Sequence, residues 1–237
     1  MFKSVTHIIY DMDGLLLGTE SLHEKVNQKI AQRYGKTFDR HTKIKIAGRP
    51  TLDSAIILVD TLQLPLTPEE YLKERNELLY PLYKTATALP GTVNLTQHLY
   101  NHQIPQAIAS SSSRHHFAMK TVNHQKWFSI FEGVTLGDDP EIKQGKPSPD
   151  IFLLAAKRFG VPPEQCLVFE DSIAGMKAAI AAGMSVVVIP DPLFDQQLFK
   201  DASQVLNSMT EFEPYLWNLP KFNSDLAPRK VDGLENS

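Results

Sequence analysis

The apolar positions along the chain change their spacing from one region to the next. Residues 5–10 are β-branched and aromatic and end at the acidic turn Asp11-Met12-Asp13-Gly14, which predicts a short buried strand that runs into a loop. From about residue 16 to residue 86 the apolar residues recur at the intervals of a helix instead. We therefore expect an all-helical insertion over residues 16–86, between the first strand and the next, and call it the cap.

Three helices are expected in the cap. Apolar residues at helical spacing over 21–34 and over 52–59 predict the first two. The third is expected to begin after Thr67, because a threonine N-cap, a proline at the first helical position and Glu70 together make a capping box. It should run to about Tyr83.

After residue 87 short apolar runs alternate with amphipathic stretches, which predicts a parallel sheet with helices on both faces, the doubly wound α/β fold. The expected strands are 104–109, 133–136, 166–169 and 185–189, and the expected helices are 92–101, 115–124, 149–159 and 173–182. Residues 1–15 and 87–219 are thus expected to form the core. The polar stretch 220–237 has no apolar period and is expected to be disordered.

The composition narrows the classes of partner. The chain has 237 residues, of which 42% are hydrophobic, enough for a globular core. A net charge of −3 supplies no basic field, so we expect no nucleic-acid partner. The single cysteine, Cys166, excludes an intramolecular disulfide. The first apolar stretch is too short for a signal peptide or membrane anchor, so we expect a cytoplasmic protein without membrane contact. We also expect it to be a monomer.

Polar side chains follow four of the predicted strands. Because ligands lie beyond the carboxyl ends of parallel strands, we expect these side chains to meet at one edge of the sheet. Each group alone has an ordinary explanation: a turn, a solvated serine loop, a surface lysine, or acids that cap a helix. Their order at successive strand ends favours a single active site. They are Asp11 and Asp13, Ser110 and Ser111, Lys146, and Glu170 and Asp171.

These side chains meet the needs of phosphoryl transfer to a carboxylate. Asp11 would attack the phosphorus atom, and Asp13 would protonate the departing alcohol and later activate water. Crowding of the carboxylates is expected to raise the pKa of Asp13 and so keep a proton available. Ser110, the backbone N–H of Ser111 and the ammonium of Lys146 would hold the phosphate oxygens.

A Mg²⁺ ion is expected beside the nucleophile, because Mg²⁺ prefers octahedral oxygen coordination and retains several waters. The carboxylates of Asp11 and Asp171 and the backbone carbonyl of Asp13 would be the protein ligands. Glu170 would hold a metal-bound water. Without the charge of Mg²⁺ and Lys146, the anionic nucleophile would repel a phosphate group.

In these motifs and their order the chain resembles the haloacid dehalogenase-like hydrolases, over about residues 5–192. The resemblance implies that Asp11 becomes phosphorylated, that Asp13 is the general acid and base, and that the helical insertion is the family's small cap, which closes over the substrate. Four stretches further resemble pseudouridine-5'-phosphatases, which implies a small phosphomonoester substrate and favours pseudouridine 5'-phosphate. They are residues 11–17, 62–65, 136–141 and 167–171.

Substrate choice is expected to rest with the cap, where Lys45, Arg49, Glu20 and His23 are the candidate contacts. The chain departs from its relatives at Gly18, where they usually have an aspartate, and this change could affect the hinge of the cap or catalytic efficiency. Three alternatives stay open: a hexose-phosphate phosphomutase, a sugar-phosphate or glycerol-phosphate phosphatase, and a low-activity scaffold protein that descends from the family.

Overall fold

Six parallel strands form one sheet in the order β3-β2-β1-β4-β5-β6. The structure is a computed structural model that describes residues 2–46 and 51–222. The strands are β1 (His7–Tyr10), β2 (Gln106–Ser110), β3 (Gly133–Leu136), β4 (Cys166–Glu170), β5 (Ser185–Val188) and β6 (Gln204–Val205). The chain moves outward from β1 in one direction and then returns to continue on the other side, which confirms the doubly wound prediction and places the switch point at β1. The two-residue β6 was not predicted.

Nine α-helices lie within the described residues. In the segment between β1 and β2 they are α1 (Glu20–Arg33), α2 (Arg40–Ile46), α3 (Thr51–Leu62), α4 (Pro68–Tyr83) and α5 (Thr92–Asn101). After β2 they are α6 (Arg114–Thr121), α7 (Gln125–Phe128), α8 (Asp150–Phe159) and α9 (Ile173–Ala181). Short 3₁₀-helices cover Pro163–Gln165, Gln196–Phe199, Met209–Glu211 and Pro214–Trp217.

The sheet is buried on both faces, as its apolar strands require. Along β1, Ile8 and Tyr10 belong to one buried cluster, which includes Leu95 of α5. Ile9 points to the opposite face and belongs to a second cluster with Phe152 of α8. This alternation fixes the register of β1, so its carboxyl end presents the next residues to the edge of the sheet.

Helices α1 to α4 surround a third buried cluster, which includes Val26, Leu58 and Tyr71. The predicted capping box is present at the start of α4: the Thr67 hydroxyl accepts from the N–H of Glu70, whose carboxylate accepts from the N–H of Thr67. Helix α2 was not predicted from apolar periodicity. The predicted limits of the domains, at residues 15, 86 and 219, stay predictions.

The cap joins the core through two neighbouring segments. Leu17 and Ala88 form an isolated antiparallel bridge, and the N–H of Gly18 donates to the carbonyl of Thr87 at 2.9 Å. A Cβ at Gly18 would meet the flexible end of Leu89 at 3.3 Å and the carbonyl oxygen of Thr87 at 3.7 Å, and Gly18 is not at positive φ. The backbone of this junction therefore does not require a glycine.

A second contact between cap and core joins helix α2 to the segment after β5. The ammonium of Lys43 in α2 lies 2.9 Å from a carboxylate oxygen of Asp191, which follows β5, and 3.2 Å from one of Glu24 in α1.

None of the described helices combines the length and apolar character needed to cross a membrane. The stretch predicted to be disordered, 220–237, lies outside the described residues except for residues 220–222.

Candidate active site

A cavity of ≈ 910 Å³ lies between the carboxyl ends of the central strands and helices α1 to α4. This volume is in the range of small-molecule sites. Eight of the predicted residues line it: Asp11, Asp13, Glu20, His23, Ser110, Ser111, Lys146 and Asp171. Lys45 is exposed on α2 and is not among the described lining residues. Arg49 lies outside the described residues.

Lys146 is buried between two carboxylates. Its Nζ lies 2.6 Å from Asp11 Oδ1 and 2.6 Å from Glu170 Oε1, and it donates to the carbonyl of Ala109 at 3.1 Å. All three donors of the ammonium are therefore used, which fixes its position. Burial lowers the pKa of Lys146, but the charges of Asp11 and Glu170 raise it above the usual range overall, so the side chain stays charged.

Asp11 stands at the end of β1 and is also buried. Burial raises its pKa from 3.8 to about 7, against the charge of Lys146, and the negative charges of Glu170 and Asp13 add to the rise. Because the folded protein holds this proton more tightly than the unfolded chain, Asp11 contributes stability at low pH, and this contribution is lost as the pH rises from 3.8 to about 7. Additional positive charge at this carboxylate would favour the ionised form that a nucleophile needs.

The carboxylate of Asp13 accepts hydrogen bonds from side chains that the sequence did not indicate. Its Oδ1 accepts from the Thr19 hydroxyl at 2.8 Å and lies 2.7 Å from Lys120 Nζ, and its Oδ2 accepts from the Ser112 hydroxyl at 2.7 Å. Burial raises the pKa of Asp13, but the charge and hydrogen bond of Lys120, with Ser112 and Thr19, lower it overall. The prediction that crowding raises the pKa of Asp13 is therefore wrong.

Lys120 was missed in the sequence because it lies in α6, away from every strand end. It is buried, donates to the Ser112 hydroxyl at 2.8 Å, and lies 4.7 Å from the ring centroid of Tyr83 at the end of α4. It thus links Asp13 to the cap. Ser110, by contrast, is 3.5 Å from Asp13 and accepts from the N–H of Ser112.

Asp171 follows β4 and faces the loop after β1. Gly14 has φ +78°, and a Cβ there would lie 2.3 Å from Asp171 Oδ2, so the glycine leaves room for this carboxylate. Burial raises the pKa of Asp171, and the negative charges of Glu170, Asp11 and Glu20 raise it further. Such a concentration of negative charge beside an open cavity fits a divalent cation.

The donor set also fits Mg²⁺. The carboxylates of Asp11 and Asp171 and the backbone oxygen of Asp13 are hard oxygen donors, the kind that this ion prefers. Within the described parts of the chain, no group of three or more His, Cys, Asp or Glu side chains is arranged to hold a metal. Water and substrate would therefore have to complete the coordination shell, as is usual for Mg²⁺.

Glu170 is fully buried and both of its oxygens have partners. Oε1 pairs with Lys146, and Oε2 accepts from the N–H of Asp171 at 3.1 Å and from the N–H and hydroxyl of Ser172. These contacts orient Lys146 and the start of α9. The predicted role of Glu170 in holding a metal-bound water stays a prediction.

Glu20 and His23 lie on the cap side of the cavity. Desolvation, followed by the negative charge of Asp13, raises the pKa of Glu20. Burial, with the positive charges of Arg75 and Lys120, lowers the pKa of His23 to about 4, so this ring is neutral near neutral pH. His23 can therefore accept or donate a hydrogen bond, but it carries no positive charge that would attract a phosphate.

The family model of the haloacid dehalogenase-like hydrolases matches residues 5–183. The chain belongs to this family. A relative, (DL)-glycerol-3-phosphatase 1, mitochondrial, of Arabidopsis thaliana, is 43% identical over 224 residues, which cover 92% of this chain and 75% of the relative. Another, named "Probable pseudouridine-5'-phosphatase" in Drosophila melanogaster, is 41% identical and covers 94% of this chain and 97% of its own length.

Solved structures agree with the family assignment. The crystal structure of CbbY from Rhodobacter sphaeroides in complex with phosphate has a TM-score of 0.70 and 25% identity, and the match covers 87% of this chain and 96% of that one. The expectations of a haloacid dehalogenase-like fold and of a phosphatase are thus confirmed, since the family is a hydrolase family and relatives over most of the chain are named phosphatases.

Replacement of Gly14 by alanine is expected to damage the active site of this hydrolase. The new Cβ would displace the Asp171 carboxylate, so activity should fall by more than about 10-fold, and the left-handed backbone should cost about 1–2 kcal/mol of unfolding free energy. Gly35→Ala is the matched control, because Gly35 also has positive φ but its Cβ would meet no atom within 4 Å.

Steady-state kinetics and thermal melting of both variants check this prediction. Gly35→Ala should lose a similar amount of stability and keep its activity. If both variants lose activity equally, the close approach of residue 14 to Asp171 has no catalytic importance.

Proposed function

We propose that this hydrolase is a Mg²⁺-dependent phosphatase that releases phosphate from pseudouridine 5'-phosphate through an aspartyl-phosphate on Asp11. The observation that supports it most is the 2.6 Å contact between Lys146 Nζ and Asp11 Oδ1 at the floor of the cavity. A buried cation beside a strand-end carboxylate favours the ionised form of the nucleophile and attracts a phosphate group.

The phosphate group would be held by residues from the carboxyl end of β2 and from the segment after β3. The hydroxyl of Ser110, which ends β2, and the N–H of Ser111 can donate to its oxygens, and Lys146 adds positive charge. When bound at Asp11, Asp171 and the Asp13 carbonyl, Mg²⁺ would supply the remaining positive charge on the phosphate oxygens. A phosphate group held by these residues would lie beside the Asp11 carboxylate, as attack on phosphorus requires.

In the first step, an Asp11 oxygen forms a bond to phosphorus while the bond to the ester oxygen breaks. Asp13 gives its proton to that oxygen, so the alcohol leaves neutral. A phosphate dianion beside Asp13 would raise the pKa of its carboxyl and oppose Lys120, so protonation accompanies substrate binding.

In the second step, water attacks the phosphorus atom of the aspartyl-phosphate. Asp13, now ionised, takes a proton from this water, and the bond from phosphorus to Asp11 breaks. Inorganic phosphate leaves and the carboxylate of Asp11 is restored. The donors from Thr19, Ser112 and Lys120 stabilise the ionised state of Asp13 between the two steps.

The size and lining of the cavity favour a nucleotide over a very small ester. A volume of ≈ 910 Å³ exceeds the needs of glycerol phosphate, and the cap side carries both polar and apolar side chains. The relative named for pseudouridine 5'-phosphate supports this choice. The Arabidopsis relative makes glycerol 3-phosphate the second candidate.

Phosphate release measured with Mg²⁺ and with EDTA tests the proposal. The panel holds pseudouridine 5'-phosphate, other nucleotides, sugar phosphates and glycerol 3-phosphate. We expect release that stops in EDTA, returns when Mg²⁺ is added, and is fastest for pseudouridine 5'-phosphate. Preference for glycerol 3-phosphate would replace the proposed substrate by the second candidate, and activity that persists in EDTA would contradict the role of the metal.

A further inference from the structure

Arg75 lies in helix α4 and lines the cavity at a place that no sequence motif indicated. Its neighbours in the lining include Tyr71 and Asn27, whose side chains are joined by a hydrogen bond of 2.7 Å from the tyrosine hydroxyl to the amide oxygen. The cap side of the cavity therefore has fixed polar groups as well as a cation. These three residues belong to α1 and α4, whereas the residues proposed to hold the phosphate lie near the strand ends.

The charge of Arg75 has no acidic partner among the described residues. Two other cations of the lining are neutralised: Lys146 by Asp11 and Glu170, and Lys43 by Glu24 and Asp191. Arg75, by contrast, forms no ion pair within residues 2–46 and 51–222, and its Nη2 donates only to the amide oxygen of Asn76, at 3.2 Å.

The guanidinium group is also incompletely hydrogen-bonded. In the described part of the chain, Arg75 Nε is the only buried side-chain nitrogen or oxygen without a hydrogen-bond partner. An unpaired donor in the protein interior is costly, so a ligand oxygen that turned this side chain towards itself would recover a hydrogen bond as well as a charge-assisted contact. Arg75 can therefore donate a hydrogen bond to an acceptor atom of a ligand.

The surroundings of Arg75 indicate what kind of acceptor fits. Three carboxylates line the same cavity outside the catalytic cluster: Glu20, Glu24 and Asp191. Glu24 and Asp191 share one cation, Lys43, so this part of the lining keeps a net negative charge that would repel a second phosphate or a carboxylate. Apolar side chains also line the cavity and would accept a flat ring; they belong to Phe38, Ile46, Ala55 and Leu58. A neutral heterocycle with carbonyl oxygens satisfies both conditions.

We propose that Arg75 is a specificity-determining residue that donates hydrogen bonds to the carbonyl oxygens of a pyrimidine base in the substrate. The inference rests on the proposed function and assigns the base-binding part of that same site. Burial and the positive charge of Arg75 lower the pKa of His23, so this neighbour adds no second positive charge beside the guanidinium.

The test compares Arg75→Met with Arg33→Met. Arg33 is a matched control, because it lies in α1 of the cap but pairs with Glu74 and is not among the described lining residues. The two substrates are pseudouridine 5'-phosphate and ribose 5-phosphate, which lacks the base. Arg75→Met should lower kcat/KM about 30-fold for the nucleotide and by less than about 3-fold for ribose 5-phosphate.

Further readouts separate recognition from folding. Inhibition by inorganic phosphate should keep the same Ki in Arg75→Met, and its melting temperature should match that of Arg33→Met. Arg75→Lys should recover only part of the nucleotide preference, since lysine lacks the planar fork. Equal losses for both substrates, an unchanged ratio, or a wild-type protein that does not prefer the nucleotide to ribose 5-phosphate would each overturn the inference.

A binding measurement keeps this inference distinct from the proposed function. Calorimetry in the Asp11→Asn background does not need turnover, and it should show that Arg75→Met weakens binding of pseudouridine 5'-phosphate more than binding of ribose 5-phosphate. If ribose 5-phosphate is hydrolysed with Mg²⁺ but no base preference exists, the inference about Arg75 fails alone. If calorimetry shows the preference for the nucleotide but the wild-type protein releases no phosphate from it, the proposed function fails alone.

Discussion

Substitution of Asp11 by asparagine is expected to lower kcat by more than about 1,000-fold, because the amide cannot attack phosphorus. The substitution also removes one negative charge from a buried cluster in which burial and neighbouring acids already raise the pKa of Asp11. The folded protein should therefore tolerate it, and the melting temperature should stay near or above that of the wild type. Phosphate release and thermal melting of the same preparations measure both effects.

Glu24→Gln provides the control for Asp11→Asn. It makes the same chemical change at an exposed acid that also lines the cavity, away from the strand ends. Its kcat should stay within about 3-fold of the wild type. Full activity in Asp11→Asn would exclude Asp11 as the nucleophile, and a similar loss in Glu24→Gln would point to a general effect of charge in the cavity.

Substitution of Lys146 by methionine should affect both stability and activity. Methionine has a similar length but leaves Asp11 and Glu170 buried without their cation. Removal of one partner from a buried ion pair costs about 3–5 kcal/mol of unfolding free energy. Loss of the charge beside the phosphate should also lower kcat/KM by more than about 100-fold. Denaturant unfolding and steady-state kinetics measure the two losses.

Lys177→Met is the matched control for the lysine substitution, because Lys177 also lines the cavity but is exposed. It should change the unfolding free energy by less than about 0.5 kcal/mol. A Lys146→Met protein that is as stable as Lys177→Met would contradict the electrostatic role assigned to the buried contacts. Retention of wild-type kcat/KM would contradict its role at the phosphate.

The fold could be predicted from local pattern because its strands are buried on both faces. Such strands produce the apolar runs around Ile8 and Val168, and each ends at a polar turn that marks the edge of the sheet. The short elements could not be predicted this way. Strand β6 has two residues, and α2 begins where Asp39 accepts from the N–H of Thr42, a signal that apolar periodicity does not contain.

The strand-end residues of the site could also be predicted from the sequence, since the topology of the sheet brings Asp11, Ser110 and Lys146 to the same cavity. Residues that helices supply could not. Lys120 reaches Asp13 from α6, and Arg75 reaches the cavity from α4, through helix orientations that depend on tertiary packing. The pKa of Asp13 was predicted in the wrong direction for this reason, because its main counter-charge comes from one of these helices.

The most direct test of the account is a single turnover in water enriched in heavy oxygen, followed by mass spectrometry of the peptide that contains Asp11. Attack by Asp11 followed by attack of water on phosphorus predicts that heavy oxygen appears in the released phosphate, while Asp11 keeps its ordinary oxygens and carries a phosphoryl group when the reaction is quenched early. Release of heavy-oxygen phosphate with no phosphoryl group ever trapped on Asp11, under conditions that quench in mid-turnover, would contradict the covalent mechanism.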